Sequence, residues 1–248
     1  TGSGALRMHG VETVYFILDG ANTIDAFDMD GVYVIYLTEG AAAGAFSLAN
    51  LDAVGTDVQG SGLSGAVAMS LAGGAGNDSL RGGAGDASAA GGAGADLLEG
   101  NAGADFLGGG AGDDVFRGGT GNDTLDGGDG FDTADYSTAG QPVVITIGGA
   151  AGPSDHDDGA LGQDLLDGIE KLVGGSAADH LTVALTGPVF ESRWMGFGNL
   201  GPDGSKPADP FYVLVGGEDG DNLTGDNRDG VFVQADYGGA HGPVDANL

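Results

Sequence analysis

Residues 73–135 read, in groups of nine, GGAGNDSLR, GGAGDASAA, GGAGADLLE, GNAGADFLG, GGAGDDVFR, GGTGNDTLD and GGDGFDTAD. The seven copies follow one another without insertion, with small residues in the first four places and an aspartate at the sixth place of six copies. The eighth place usually holds a large apolar residue. So strict a period indicates a repeat architecture in which every nonapeptide is one structural unit.

The glycine-rich half of each nonapeptide predicts a tight turn that can hold a cation. Glycine adopts positive φ without strain, so a G-G-x-G run turns sharply and leaves its carbonyl groups free to point at one place. The sixth-place aspartate adds a hard anionic oxygen, which suits a calcium ion that needs about six to eight oxygen ligands.

The other half of each nonapeptide predicts a three-residue β-strand whose eighth-place side chain points into a core. One unit cannot bury its own apolar side chain, so neighbouring units must stack. The expected core residues are Leu80, Leu98, Leu107, Phe116 and Leu125, with Ala89 and Ala134 as small members.

Two other interpretations fit the glycine content but not the pattern. Glycine makes up 21 of these 63 residues, as it could in collagen or in a disordered linker. Collagen needs glycine at every third place and abundant proline, and a disordered linker would not keep an aspartate in phase. The sequence therefore predicts an all-β fold, a parallel β-roll or β-solenoid with calcium bound in its turns.

The pattern G-G-x-G-x-D-x-U-x resembles the calcium-binding repeat of RTX (repeats-in-toxin, haemolysin-type) proteins. In that family two nonapeptides form one coil, equivalent turns recur every 18 residues, and calcium lies between stacked turns. The resemblance implies four complete sites with two aspartates each, in the pairs Asp78/Asp96, Asp96/Asp114, Asp114/Asp132 and Asp105/Asp123.

The resemblance also implies that backbone carbonyl groups at the second and fourth places complete each site. The whole implied set of metal ligands is Gly74, Gly76, Asp78, Gly92, Gly94, Asp96, Asn101, Gly103, Asp105, Gly110, Gly112, Asp114, Gly119, Gly121, Asp123, Gly128, Gly130 and Asp132.

Two repeats depart from the pattern. Ala87 stands at the sixth place of the second repeat, with Asp86 one place early, and Asn101 replaces the second glycine of the fourth repeat. We call the space between two stacked turns a slot. The slot between the turns of Ala87 and Asp105 is expected to be empty or weakly filled, with Asp86 facing solvent.

The composition agrees with a chain that needs cations. The 248 residues carry a formal net charge of −30, which argues against nucleic acid or an anionic membrane as a partner. There is no cysteine, so a structural metal is expected to replace disulfides. No run of 18 apolar residues occurs, and no membrane insertion is expected. The opening TGSGALRMHG is not typical of a signal peptide, and the chain is expected to be a section of a longer protein.

Residues 1–72 form a first region that is rich in β-forming residues. Short strands are predicted within residues 11–18, 22–27, 32–37, 45–51 and 66–71. Their spacing fits further solenoid rungs without calcium turns, and VETV, NTID and GVYVIYL are similar to segments that precede RTX repeats in bacterial surface-layer proteins. An apolar cap that closes one end of the roll explains the same strands equally well.

Residues 136–248 form a third region, after the repeat block at 73–135. VVITI (143–147) and GVFVQADY (230–237) predict strands, residues 174–182 and 216–224 are degenerate repeats, and residues 184–210 are a proline-rich insertion. The segment that leads from DYS to LDGIE is similar to segments that commonly come after a set of RTX repeats. His180 is expected to be an exposed seventh-place residue rather than a catalytic group.

The sequence lacks the motifs of common enzymes. H-E-x-x-H, G-x-S-x-G and a Walker A loop are missing, although the many carboxylates leave a glycosidase-like pair open. No catalytic residue is predicted, and calcium, about four or more ions, is the predicted cofactor.

Two functions of different classes are compatible with the sequence. The first is a structural and interaction protein, a section of a surface layer or an adhesin that folds and rigidifies on binding calcium after type I secretion. The second is an accessory RTX module of a secreted enzyme or toxin whose catalytic domain lies outside this chain. Both predict an extracellular location, and the first adds self-association or attachment to a cell surface.

Overall fold

The computed structural model describes residues 55–65, 67–147, 162 and 164–183, and elsewhere the strands given below. The described residues form β-strands and no helix, so none of them makes a helix long and apolar enough to cross a bilayer. The predicted all-β class is confirmed. The chain divides into two compact units, Thr1–Thr124 and Leu125–Leu248, and the division into three regions stays a prediction.

Successive repeat strands of the first unit belong alternately to two parallel sheets. One sheet has the order β3-β6-β8-β10-β12, the other has the order β2-β5-β7-β9-β11-β13, and β1 pairs with β4 separately. The strands of this unit are β1 Arg7–His9, β2 Thr13–Leu18, β3 Asn22–Ile24, β4 Asp28–Asp30, β5 Tyr33–Glu39, β6 Phe46–Leu48, β7 Thr56–Gln59, β8 Met69–Gly74, β9 Ser79–Arg81, β10 Ala87–Ala93, β11 Leu97–Ala102, β12 Phe106–Ala111 and β13 Val115–Thr120.

The strand register confirms a coil of two nonapeptides. Leu97 pairs with Ser79 on one side and with Val115 on the other, each 18 residues away. Strands β11, β12 and β13 have six residues rather than the predicted three. The extra length arises because pairing with the neighbouring coil continues into the next nonapeptide, where Ala102 still pairs with Thr120.

The eighth-place side chains form the core of the roll, as predicted. Leu80, Leu98, Leu107 and Phe116 are fully buried, and so are Leu125 and Ala134 in the second unit, while Ala89 is 3% exposed. Each fully buried leucine or phenylalanine contributes about 1.5–3 kcal/mol to the free energy of unfolding.

The strands before the repeats continue the same sheets. Val58 in β7 pairs with Leu80 in β9 and with Ile35 in β5, and Phe46 in β6 pairs with Met69 in β8. All five side chains are buried. Strands were predicted where β2, β3, β5, β6 and β8 lie, whereas β1, β4 and β7 were not predicted.

In the second unit, the described strands belong to three sheets. Their orders are β17-β18-β14, β15-β19-β21-β23 and β16-β20-β22-β24, and β17 pairs with β18 in the antiparallel direction. The strands are β14 Thr124–Asp129, β15 Thr133–Asp135, β16 Val144–Ile147, β17 Ser154–Asp155, β18 Leu165–Asp167, β19 Lys171–Val173, β20 His180–Val183, β21 Phe211–Val215, β22 Asn222–Gly225, β23 Phe232–Asp236 and β24 Asp245–Asn247.

The two degenerate repeats meet in one of these sheets. Leu181 of the first pairs with Leu223 of the second, and Leu181 is buried. His180 is exposed, as expected for a seventh-place residue. The proline-rich insertion at 184–210 and the sixth-place Asp221 lie outside the described residues.

Candidate metal centre

The repeat turns use backbone conformations that most side chains disfavour. At most second and fourth places φ is positive, at 76–158°, and the fourth-place Gly76 is an exception in the first repeat. The residues with positive φ are Gly74, Gly92, Gly94, Asn101, Gly103, Gly110, Gly112, Gly119, Gly121, Gly128 and Gly130. Asn101 has a φ of 76°, and it is the one non-glycine residue with positive φ in the part of the chain that the structure describes. Asparagine tolerates this region, and its Nδ2 donates a hydrogen bond to the carbonyl oxygen of Gly82 at 2.9 Å.

The second- and fourth-place carbonyl oxygens point at the turn one coil further on. A Cβ atom built on Gly92 would collide with the carbonyl oxygen of Gly74, and one on Gly94 would collide with that of Gly76. Gly119 and Gly121 have the same relation to the carbonyl oxygens of Asn101 and Gly103. Main-chain oxygens of these turns therefore lie against the next coil, and their role as metal ligands stays a prediction.

The sixth-place aspartates stack at intervals of 18 residues. The N–H of Asp78 donates to Oδ1 of Asp96 at 2.7 Å, and the N–H of Asp96 donates to Oδ1 of Asp114 at 2.8 Å. On the other edge the N–H of Asp105 donates to Oδ1 of Asp123 at 2.9 Å. These three pairs are stacked as predicted. The fourth pair, Asp114 and Asp132, has one member in each compact unit and stays a prediction.

The second carboxylate oxygen of each aspartate lies in the slot. Oδ2 of Asp78 and Oδ2 of Asp96 are buried and accept no hydrogen bond, and both residues are 3% exposed. A Cβ atom on Gly73 would collide with Oδ2 of Asp78 and with the carbonyl oxygen of Gly91. Burying an ionised oxygen without a donor is costly, so this arrangement suits a cation.

The first-place carbonyl groups were not predicted as part of the site. In the slot above Asp96, the carbonyl oxygen of Gly109 lies 2.8 Å from a Cβ atom built on Gly91, next to Oδ2 of Asp96. The signal was present in the sequence, because glycine holds the first place of all seven repeats.

The second repeat builds a different turn, as its sequence suggests. Its Gly83 and Gly85 do not have positive φ. Ala87 donates its N–H to Oδ1 of Asp105 at 2.7 Å, but its methyl carbon lies 3.2 Å from a Cβ atom on Gly82, where other repeats place a carboxylate oxygen. Asp86 is exposed and accepts the N–H of Ala104 at 2.9 Å, so it does not enter the slot.

Burial disfavours the ionised form of Asp78 and of Asp96. It raises the pKa of Asp78 from 3.8 to about 6, which the hydrogen bond from the Thr56 N–H opposes and the charge of Asp96 reinforces. The pKa of Asp96 is raised by burial too, against the hydrogen bond from the Asp78 N–H. A calcium ion in the slot would reverse this effect and favour both carboxylates.

Acidification is expected to favour folding of the calcium-free chain. Because the folded pKa of Asp78 is raised, the folded chain binds a proton more tightly than the unfolded chain. The penalty for burying the charge is complete above pH 6 and disappears as the pH falls towards 3.8. Circular dichroism of the calcium-free chain should show more β-structure at pH 5 than at pH 7.5. A loss of β-structure over this range would contradict the assignment.

The donors present fit calcium. Among the described residues, no group of three or more Asp, Glu, His or Cys side chains is close enough together to hold a metal. Each slot between two aspartate-bearing turns instead offers two carboxylates and several carbonyl oxygens, which is the hard, all-oxygen environment that calcium prefers. The ion would supply positive charge between the turns, and the chain would supply the ordered oxygens.

Comparison with known proteins agrees with this donor set. A family model of the RTX calcium-binding nonapeptide repeat, built of four copies, matches residues 70–98, 87–116 and 99–134. A search of curated proteins and a search of solved structures each found no match. The match concerns calcium-binding repeats and no catalytic family. Residues 70–134 therefore contain RTX, haemolysin-type calcium-binding nonapeptide repeats.

Proposed function

We propose that this chain is a structural and interaction section of an extracellular surface-layer protein or adhesin. It folds and rigidifies when it binds calcium after type I secretion. The observation that carries the proposal is the continuity of the first unit, in which β2, β5 and β7 extend the sheet of β9, β11 and β13 in parallel register. A long continuous solenoid suits a load-bearing spacer, because each rung is held by its neighbours.

The outer face of β2 and β5 supports a role in contacts with other surfaces. Tyr15 and Ile17 are 70% and 73% exposed, and Tyr36 is 40% exposed. The rings of Tyr15 and Tyr36 stack with their centroids 5.0 Å apart. Clustered exposed apolar side chains mark interaction surfaces, and a second copy of the chain is the partner that we propose for this face.

Self-association that depends on calcium is the expected result. We expect light scattering to give a mass at least twice that of one chain in millimolar calcium, and a smaller mass in excess chelator. Tyr15→Thr combined with Ile17→Thr should reduce the association, whereas Ala104→Ser, an exposed change in a repeat turn, should not. The chain should show no hydrolytic activity in either condition.

An accessory module of a secreted enzyme or toxin is the alternative function. It needs the same calcium-dependent turns but no contacts between copies. A chain that stays monomeric at high concentration in millimolar calcium would therefore favour the accessory module over the surface layer.

A further inference from the structure

The rung that comes after the last nonapeptide is not a nonapeptide. Thr133 pairs with Lys171 and Ala134 pairs with Leu172, so the chain returns to the sheet after 38 residues rather than 18. Both side chains of the Ala134–Leu172 pair are fully buried. The turn before Lys171 therefore stacks on the turn of Asp132 within the second unit.

Glu170 occupies the position that a sixth-place aspartate has in the repeats. The N–H of Asp132 donates to Oε2 of Glu170 at 2.9 Å, and the N–H of Lys171 donates to the carbonyl oxygen of Asp132 at 2.9 Å. In the repeats, the N–H of Asp78 donates to Oδ1 of Asp96 at 2.7 Å, and the N–H of Leu97 donates to the carbonyl oxygen of Asp78 at 2.8 Å. The two sets of hydrogen bonds are equivalent.

Gly168 supplies the carbonyl group that a first-place glycine supplies elsewhere. A Cβ atom built on Gly127 would collide with the carbonyl oxygen of Gly168 and lie 2.5 Å from Oδ2 of Asp132. In the same way, a Cβ atom built on Gly73 would collide with the carbonyl oxygen of Gly91 and with Oδ2 of Asp78. Two oxygens thus converge on one point in both slots, and Asp132 is fully buried.

The difference in turn length explains why the residue is a glutamate. Glu170 lies two positions after Gly168, whereas Asp96 lies five positions after Gly91. Gly168 has a φ of 66°, which turns the backbone sharply. A side chain that is longer by one methylene group can then bring its carboxylate over Asp132 from a shorter turn.

The turn of Asp179 has a different pattern of hydrogen bonds. Oδ1 of Asp179 accepts the N–H of Val143 in the neighbouring turn at 2.9 Å. Its Oδ2 accepts the N–H of Gly175 at 2.6 Å, within the same turn. Both oxygens of the Asp179 carboxylate thus accept hydrogen bonds from the main chain.

We propose that Asp132, Glu170 and the carbonyl oxygen of Gly168 form a calcium site beyond the nonapeptide block. The proposal rests on the proposed calcium-dependent folding, and it extends the calcium-bound turns past the residues that the family model matches, which end at 134. The site holds residues 164–173 against the turn of Asp132. Calcium therefore also orders this part of the second unit.

The substitution Glu170→Gln distinguishes a calcium-binding role of Glu170 from a role in hydrogen bonding alone. The amide oxygen of glutamine can still accept the Asp132 N–H, but the charge that binds calcium is lost. Asp126→Asn is the matched control, since Asp126 is an exposed carboxylate on β14. We expect equilibrium dialysis to give one bound ion fewer for Glu170→Gln than for the unsubstituted chain, and no change for Asp126→Asn. Hydrogen exchange in residues 164–173 should also need more calcium to slow in Glu170→Gln.

A second substitution keeps the test decisive if glutamine unfolds the chain. Glu170→Asp retains the charge but shortens the reach, and it should raise the calcium concentration at which residues 164–173 become protected. The proposal is overturned if Glu170→Gln or Glu170→Asp folds and binds calcium like the unsubstituted chain. An unsubstituted chain that binds no calcium would overturn the proposed function as well, which separates the two failures.

Discussion

Removing calcium is expected to unfold the roll. Extracellular modules bind calcium with a Kd of about 10⁻⁴–10⁻³ M, and at roughly ten times Kd each site adds about 1.4 kcal/mol to the free energy of unfolding. The four predicted sites together add about 6 kcal/mol, which is comparable with the whole stability of an ordinary domain, about 5–15 kcal/mol.

The charges of the repeat block increase the stability that is lost when calcium is removed. Residues 73–135 contain 12 Asp and Glu side chains and two basic residues, Arg81 and Arg117. Both arginines form ion pairs with Glu99, and Arg117 lies 2.7 Å from it. The basic side chains of the block thus contact the outer-face glutamate, while the stacked aspartates face one another inside the slots. Without a cation the folded chain must bury these charges.

Circular dichroism in excess chelator at pH 7.5 measures the effect. The β-sheet signal should be lost and should return when calcium is added back. Magnesium at the same concentration is the control, because it requires a smaller and more regular set of oxygens. A β-sheet signal that is unchanged in chelator would show that the core alone holds the roll together.

The structure of the repeat block can be predicted well from the sequence, because one nine-residue period determines its turns, its strands and its core. The eighth-place residues from Leu80 to Ala134 are buried, and the aspartate pairs of the first unit stack at the expected 18 residues. Most second- and fourth-place glycines adopt the positive φ that their residue type allows. Each of these features comes from local chemistry that repeats without interruption.

The rungs before the block could not be predicted in the same way, because their spacing varies. Val14 pairs with Ile35 across 21 residues, Ile35 with Val58 across 23, and Val58 with Leu80 across 22. Without a fixed period, the sequence does not reveal which strands are neighbours. The hydrogen bond from the Thr56 N–H to Oδ1 of Asp78, at 2.6 Å, was missed for this reason.

Glu170 could not be identified from the sequence, because its position beside Asp132 depends on tertiary structure. It lies in no nonapeptide, and 38 residues separate it from the Asp132 N–H that it accepts. Only the pairing of β15 with β19 brings the two turns together. Glu170 takes the place of an aspartate by reaching from a shorter turn. Such a replacement produces no periodic pattern in the sequence.

Substitutions at two turn positions should move the calcium midpoint of folding in opposite directions. Asp96→Ala should remove two sites at once, because its Oδ1 contacts the N–H of Asp78 and its Oδ2 lies in the next slot beside Gly91. The expected loss is about 3 kcal/mol at ten times Kd, with two fewer bound ions. Asp126→Ala, the loss of an exposed carboxylate, is the control and should change neither quantity.

Ala87→Asp should do the reverse and add a site. The buried Ala87 already donates to Asp105, and an aspartate there would place an oxygen where the methyl group lies beside Gly82. Gly83 and Gly85 leave the turn free to adopt the positive φ of the other repeats. We expect one more bound ion, a gain of about 1.4 kcal/mol and a lower calcium midpoint. Calcium titrations of the four proteins side by side measure this. An unchanged ion count in Ala87→Asp would mean that the second repeat cannot take up the turn geometry of the others, and that its missing carboxylate is not what limits the slot.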